Sequence, residues 1–275
     1  MGVAWKFAMI YRFGFHPLVL MLIADVMATI IVYVFSLLYK NSSLYDPYWS
    51  VIPPAIALFW AWQFNVAESV PVLLMLIGIS VWAVRLTFNW LRGWHGLSHQ
   101  DWRYVMLREK NPSLYWLTNF GGIHMFPTLI VFAGMLPVYY FIQAYANTEG
   151  ELMMPVVVLG FLLTIVAALI ELIADEQMRS FKKRALPGQF IDEGLWHYSR
   201  HPNYFGEILF WFGLWVMLMG IAPQYWWTGA GWLAMATMFV FASIPMMTEK
   251  NLKSKPGYAQ YVAKVSMLIP GFRKK

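Results

Sequence analysis

Apolar runs of membrane-crossing length recur along this chain, at roughly residues 17–39, 50–65, 70–91, 125–145, 154–174, 206–220 and 226–247. A helix needs about 20 such residues to cross a bilayer. Runs of this kind leave little choice of fold, because in hydrocarbon each backbone N–H and C=O must be paired within its own segment. The expected fold is therefore all-α, a polytopic membrane bundle of about seven transmembrane helices. Only 12% of residues are charged and 60% are hydrophobic, against about 25% charged in soluble domains. With no cysteine in the chain, disulfides, thiolate metal sites and thiol nucleophiles are excluded. The first run follows Lys6 and Arg12, is long enough to span and lacks a small-residue cleavage pattern, so it reads as retained.

The distribution of cations orients the bundle. All Lys and Arg except Lys6, Arg12 and the intramembrane Arg85 fall on one side of the expected spans. Basic residues favour the cytoplasm, which predicts an outside N-terminus and a cytoplasmic C-terminus. An eight-span arrangement would break that alternation. No soluble domain or internal repeat interrupts the chain, which reads as one integral membrane domain over 1–275. Residues 1–16, aromatic and basic, read as an interfacial lead-in.

Polar residues inside such segments mark places where something must be paired or bound. Asp25 sits in the first run and calls for a partner on a neighbouring helix. The loop at 40–50 carries Asp46, Tyr48 and Trp49, and Pro53-Pro54 follow at once. Paired prolines predict a broken second helix, which in membranes lines a cavity. Arg85 and Asn89, four apart, share a face of the third helix. A buried Arg85 needs an anion: Asp25, Glu171 or a phosphate. The longest hydrophilic connection, 92–124, with His95, His99, Asp101, Trp102, Arg103 and Tyr104, reads as an ordered cap. After the fifth run, Glu171, Asp175, Arg179 and Lys182 fall on one helical stripe, with Lys183 and Arg184 beside them. That cluster reads either as a phosphate-binding patch or as ordinary topology signal.

Next comes the most informative stretch, Gly194-Leu195-Trp196-His197-Tyr198-Ser199-Arg200-His201-Pro202-Asn203-Tyr204-Phe205-Gly206-Glu207, which runs straight into Ile208-Leu209-Phe210-Trp211-Phe212. Pro202 marks a helix start with Asn203 as a cap, and the free N–H groups of such a start attract anions. Glu207 lies one turn inside. The pairs His95/His99 and His197/His201 have metal-chelating spacing, but neither has the further histidines a di-iron site needs, and no metal is expected. No Walker or Rossmann glycine loop and no serine elbow is present.

The motif from Gly194 to Glu207, preceded by Asp175 and Arg179 and followed by Lys255-Pro256-Gly257-Tyr258, Tyr261 and Leu268-Ile269-Pro270, resembles the steroid 5α-reductase C-terminal domain family, and within it the bacterial membrane members. The likeness covers roughly 150–272. The Arg-His-Pro-x-Tyr-x-Gly core is also similar to isoprenylcysteine carboxyl methyltransferases and sterol C14 reductases. This resemblance implies a seven-helix reductase in a bacterial inner membrane, holding NADPH in a cytoplasm-facing cavity of its C-terminal half, 150–275, with helices 1–149 on the substrate side. Cofactor contacts would fall on Asp175, Arg179, Lys182, Tyr198, Arg200, His201, Asn203, Tyr204, Glu207 and Glu249. Where the steroid enzymes carry a Gln-Glu pair before a proline of the second helix, this chain has Ser50-Val51. Trp82 stands at the place of their acid tyrosine.

The expected reaction is NADPH-dependent reduction of a conjugated C=C bond in a steroid-like or other lipid-soluble substrate. Asp46, Tyr48, Arg85 and Asn89 are the candidates for proton donation and enolate stabilisation. The alternative is an S-adenosylmethionine-dependent membrane methyltransferase, which needs no phosphate-binding cations. A non-enzymatic lipid-binding or scaffold subunit would pair Arg85, Glu171 and Glu207 only with each other and leave no cavity. Membrane lipids and a lipid-soluble small molecule are the expected partners; nucleic acid is not.

Overall fold

A computed structural model describes residues 16–273. The expected interfacial segment at 1–16 lies, but for His16, outside the described residues. Those residues are helical throughout, apart from loops and one isolated bridge between Ser199 and Ser266. Five helices are long and apolar enough to cross a membrane: α1 (Pro17–Leu38), α3 (Val70–Arg92), α5 (Tyr115–Ala146), α6 (Met154–Arg184) and α8 (Pro223–Ser254). The protein is a membrane protein with transmembrane helices. The other two expected segments are the 16-residue α2 (Tyr48–Gln63) and the 18-residue α7 (Pro202–Met219). Short helices α4 (Trp102–Lys110) and α9 (Tyr258–Lys264) lie in the connection after α3 and in the C-terminal tail.

Helix α2 is short because the chain folds back before it begins. Tyr48 donates its hydroxyl to Asp25 Oδ1 at 2.6 Å, although Asp25 lies thirteen residues, about 20 Å of helix rise, before the end of α1. Between them Ser42, Ser43 and Tyr45 are buried. The Tyr45 hydroxyl bonds Thr128 at 2.9 Å, and Thr128 bonds Thr29 of α1 at 2.9 Å. The expected break at Pro53-Pro54 is absent: α2 runs on through both prolines. They remove the donors to the carbonyls of Trp49 and Ser50, a loss that membrane helices tolerate without breaking. Helix α7 begins two residues earlier than a cap at Asn203 would give. His201 is its N-cap residue, Pro202 opens the helix, and Asn203 is its second residue.

The connection after α3 forms the expected cap and is tied to the 39–47 loop. Asn41 Nδ2 donates to the carbonyls of Leu97 (2.7 Å) and His99 (2.9 Å), and Asp101 N donates to Ser43 Oγ (2.8 Å). At the far end of the chain the tail straps the 194–201 segment. Arg200 N donates to Ser266 O at 2.8 Å, Ser199 Oγ to Leu268 O at 2.6 Å, and Gly271 N to Tyr198 O at 3.0 Å. That segment turns at Gly194, whose φ is +58° and where a Cβ would overlap the Gln177 side chain, so glycine is required.

Candidate functional site

Arg85 organises the polar interior. Its side chain is buried in a membrane-class helix, where a lone cation is costly, and α6 and α7 supply its partners. Nη2 pairs with Glu171 Oε2, Nη1 reaches Asp175 Oδ2 at 3.2 Å, and Glu207 Oε2 lies 3.9 Å away. Of the three anions expected for Arg85, Glu171 is the one found, joined by Asp175. Asp25 is instead held by Tyr48. Glu207 accepts indole N–H groups on both oxygens, from Trp82 at 3.0 Å and Trp211 at 2.9 Å. Trp82 stacks on Phe210 with centroids 4.5 Å apart. The network continues outward: Asn89 Nδ2 donates to Asp175 at 2.9 Å, and Arg179 Nη2 donates to Asn89 Oδ1 at 3.0 Å. The three carboxylates converge because α6 and α7 approach to backbone contact. A Cβ on Gly206 would stand 2.4 Å from Glu171 Cγ.

Beside this cluster lies a cavity of about 500 Å³. Its polar wall includes Asp46, Arg85, Asn89, Glu171, Asp175, Asn203, Tyr204 and Glu207, together with Asp101, Arg103 and Tyr104 from the cap. Side chains from both halves of the chain therefore meet in one place. Arg179, one residue back from the wall, is joined to it through Asn89. Tyr204 is stacked between the His201 ring (5.4 Å) and Phe239 (4.4 Å).

On the wall itself Arg85 Nε, Glu171 Oε1 and Asn203 Oδ1 are buried yet have no partner in the protein, and so are Arg179 Nε behind Asn89, His201 Nε2 behind Tyr204, and Arg200 Nε next along the chain. Buried polar atoms are normally hydrogen-bonded, so this group is available to a ligand. Burial, reinforced by the Arg200 charge, pushes the His201 imidazole down to about 4, leaving it neutral near pH 7. Where the cap meets the 39–47 loop, two carboxylates are driven apart. Burial raises Asp46 to about 6 against the opposing pull of Arg103 and of the Tyr104 hydroxyl, which donates to it at 2.6 Å. Burial also opposes ionisation of Asp101, but the Arg103 guanidinium, at 2.8 Å, outweighs it and holds Asp101 below its ordinary value. Such divergent pairs are how one site carries both a proton donor and a fixed charge.

Other expected residues stand apart from the wall. Tyr48 spends its hydroxyl on Asp25, and Tyr198 is 44% exposed, packed on His197. Glu249 is exposed and paired with Lys253. Lys182 belongs to a cation group with Lys250 and Lys255. Burial and then the charges of Lys182 and Lys250 push Lys255 below its ordinary value. Arg103, Tyr104 and Lys255 had no place among the sequence candidates. The signal for Arg103 and Tyr104 was the dense Asp-Trp-Arg-Tyr run within the ordered connection, and for Lys255 the Lys-Pro-Gly-Tyr run of the tail.

Residues 32–265, most of the chain, match the family model described as "Protein of unknown function (DUF1295)". The chain belongs to this family. It is also 27% identical over 268 residues to an uncharacterized protein of Schizosaccharomyces pombe, an alignment covering 84% of this chain and 73% of that protein. No solved structure matches.

Proposed function

We propose that this protein is a membrane reductase of the steroid 5α-reductase type, which uses NADPH to reduce a conjugated C=C bond in a lipid-soluble substrate. We read α2 and α7 as two further spans, the second and sixth of seven in chain order, which puts the N-terminus outside and the cavity's basic rim toward the cytoplasm, in a bacterial inner membrane. The observation that carries the reading is the unpartnered buried atom of Asn203 on a cavity lined by Asn89, Asp175 and Tyr204, with those of Arg179 and His201 directly behind Asn89 and Tyr204. These are the donors, acceptors and aromatic face that a dinucleotide needs, and clustered cations complement its 2′-phosphate. NADPH, when bound, would supply the hydride for the β-carbon of the double bond. A scaffold subunit whose charges satisfied only one another would have no use for such a cavity.

The chain's own residues then divide the work. Arg179, Arg200 and the Lys182–Lys255 group attract phosphate, while Asn203 and Tyr204 orient the dinucleotide. Arg85 and Asn89 keep positive charge and an amide near the developing enolate oxygen. Asp46, half-protonated near pH 6 and held by Tyr104, gives the proton that completes the reduction. Tyr48, committed to Asp25, positions α2 rather than donating.

The test is mass spectrometry of small molecules released from protein purified in mild detergent. NADPH or NADP is the expected species. S-adenosylmethionine or its demethylated product would favour the methyltransferase, and absence of any nucleotide after loading with each would remove both readings.

A further inference from the structure

The cavity's second wall is apolar and is built from the two π-helical segments found among the described residues, Thr118–Met125 in α5 and Phe239–Ser243 in α8. Helices α5 and α8 run antiparallel and touch closely away from these segments. Tyr140 stacks on Tyr225 at 4.2 Å, and a Cβ on Gly231 would stand 2.3 Å from the Ala133 carbonyl oxygen. Counting eleven residues from that contact in each direction, back along α5 and forward along α8, reaches Gly122 and Ala242. Both line the cavity. At this level the helices have parted: a Cβ on Gly121 or Gly122 would meet nothing within 4 Å. Gly122 and Ala242 are also solvent-accessible, and Phe126 beside them is 49% exposed. The cavity therefore opens between two helices that are each long and apolar enough to cross a membrane.

We propose that this gap is a lateral slot that admits and holds the hydrocarbon chain of a membrane-dissolved amphiphile, whose polar end reaches the Asp46–Tyr104 side of the cavity. Its borders, Gly122, Phe126, Pro127, Met238, Ala242 and Met246, carry no ionisable group, so only an apolar chain is stabilised there. The two methionines are unbranched and adapt to chains of varied shape. The π turns open the slot, because their wider winding displaces side chains from the helical ridge that would otherwise pack across it. The slot deepens the reductase reading, since a chain entering sideways brings its reactive end to the polar wall without crossing water.

The experiment uses the full chain in lipid nanodiscs with a diazirine-labelled palmitic acid, photolysed with and without excess unlabelled palmitate. Labelling that palmitate competes away is expected on 118–127 and 238–246. The double substitution Gly122→Phe and Ala242→Phe should cut that competable labelling about tenfold, the loss expected from excluding two methylenes, while Gly122→Ala should leave it unchanged. Competable labelling that the plugged variant retains, or labelling of outward faces that palmitate never competes, would overturn the slot. If the double variant fails to fold, the map of competable labelling on the wild-type protein decides. Nucleotide loading of the same samples keeps the two ideas separable: a competable slot without NADPH binding would retain the slot and sink the reductase, and the reverse result would do the opposite.

Discussion

Two antiparallel helix pairs wall the cavity, and they meet in opposite ways. Along α6 and α7 the backbones touch: Gly206 makes room for Glu171, and a Cβ on Gly213 would come within 2.9 Å of Thr164 Cγ2. Along α5 and α8 contact at Gly231 gives way to open space at Gly121 and Gly122. The close pair carries the charge, with Glu171, Asp175 and Glu207 gathered on Arg85; the parted pair contributes no ionisable side chain to its wall. Buried charges are tolerated only when partners are fixed around them, so the polar wall needs rigid packing. An apolar wall in a membrane has no such requirement and can remain open.

The largest effect should come from removing the cation at the centre of the close pair. Arg85→Met leaves Glu171 and Asp175 buried without their partner and should cost about 3–5 kcal/mol, read as a large drop in thermal stability in detergent. Survival of Arg85→Met at wild-type stability would break the comparison. Gly206→Leu comes next, because the added side chain must displace Glu171 and Ala167. Overpacking of this kind costs about 1–3 kcal/mol. Its counterpart on the parted pair, Gly122→Leu, should shift stability by less than about 0.5 kcal/mol, and the contrast between the two leucines sharpens the claim that one wall is closed and the other open.

A smaller effect concerns the cap. Because burial raises Asp46 from 3.8 to about 6, the folded state holds its proton more tightly than the unfolded chain does. Its contribution to stability is thus fully present below 3.8 and is lost as pH rises through about 6. Asp46→Asn should flatten that part of the stability–pH curve. Proton donation by Asp46 further predicts that turnover declines above about pH 6 in the wild type and that Asp46→Asn removes this limb along with most of the rate.

Much of the polar wall was legible from single residues, because membrane hydrocarbon makes each charge conspicuous. Arg85 demanded an anion, and of the three expected the bundle supplies Glu171, adding Asp175 from the same stripe while Asp25 goes to Tyr48. The cap contribution was not legible. Nothing in the spacing of Asp101, Arg103 and Tyr104 says that their connection is tied to the loop bearing Asp46, a pairing made by Asn41 and Ser43 across more than fifty residues of sequence. The apolar wall escaped for a different reason. A π turn shifts the helical period by one residue, and a search for 3.6-residue periodicity passes over it. The paired prolines misled because a membrane helix can run on through Pro53-Pro54, forgoing two backbone bonds without breaking.

The central claim is that the polar wall grips a phosphorylated dinucleotide, and the most direct measurement compares NADPH with NADH affinity in the wild type and in Arg179→Ala. The account predicts that the wild type prefers NADPH, and that Arg179→Ala weakens NADPH by about tenfold while leaving NADH nearly unchanged. Equal losses for the two dinucleotides, or no binding of either by the wild type, would contradict it.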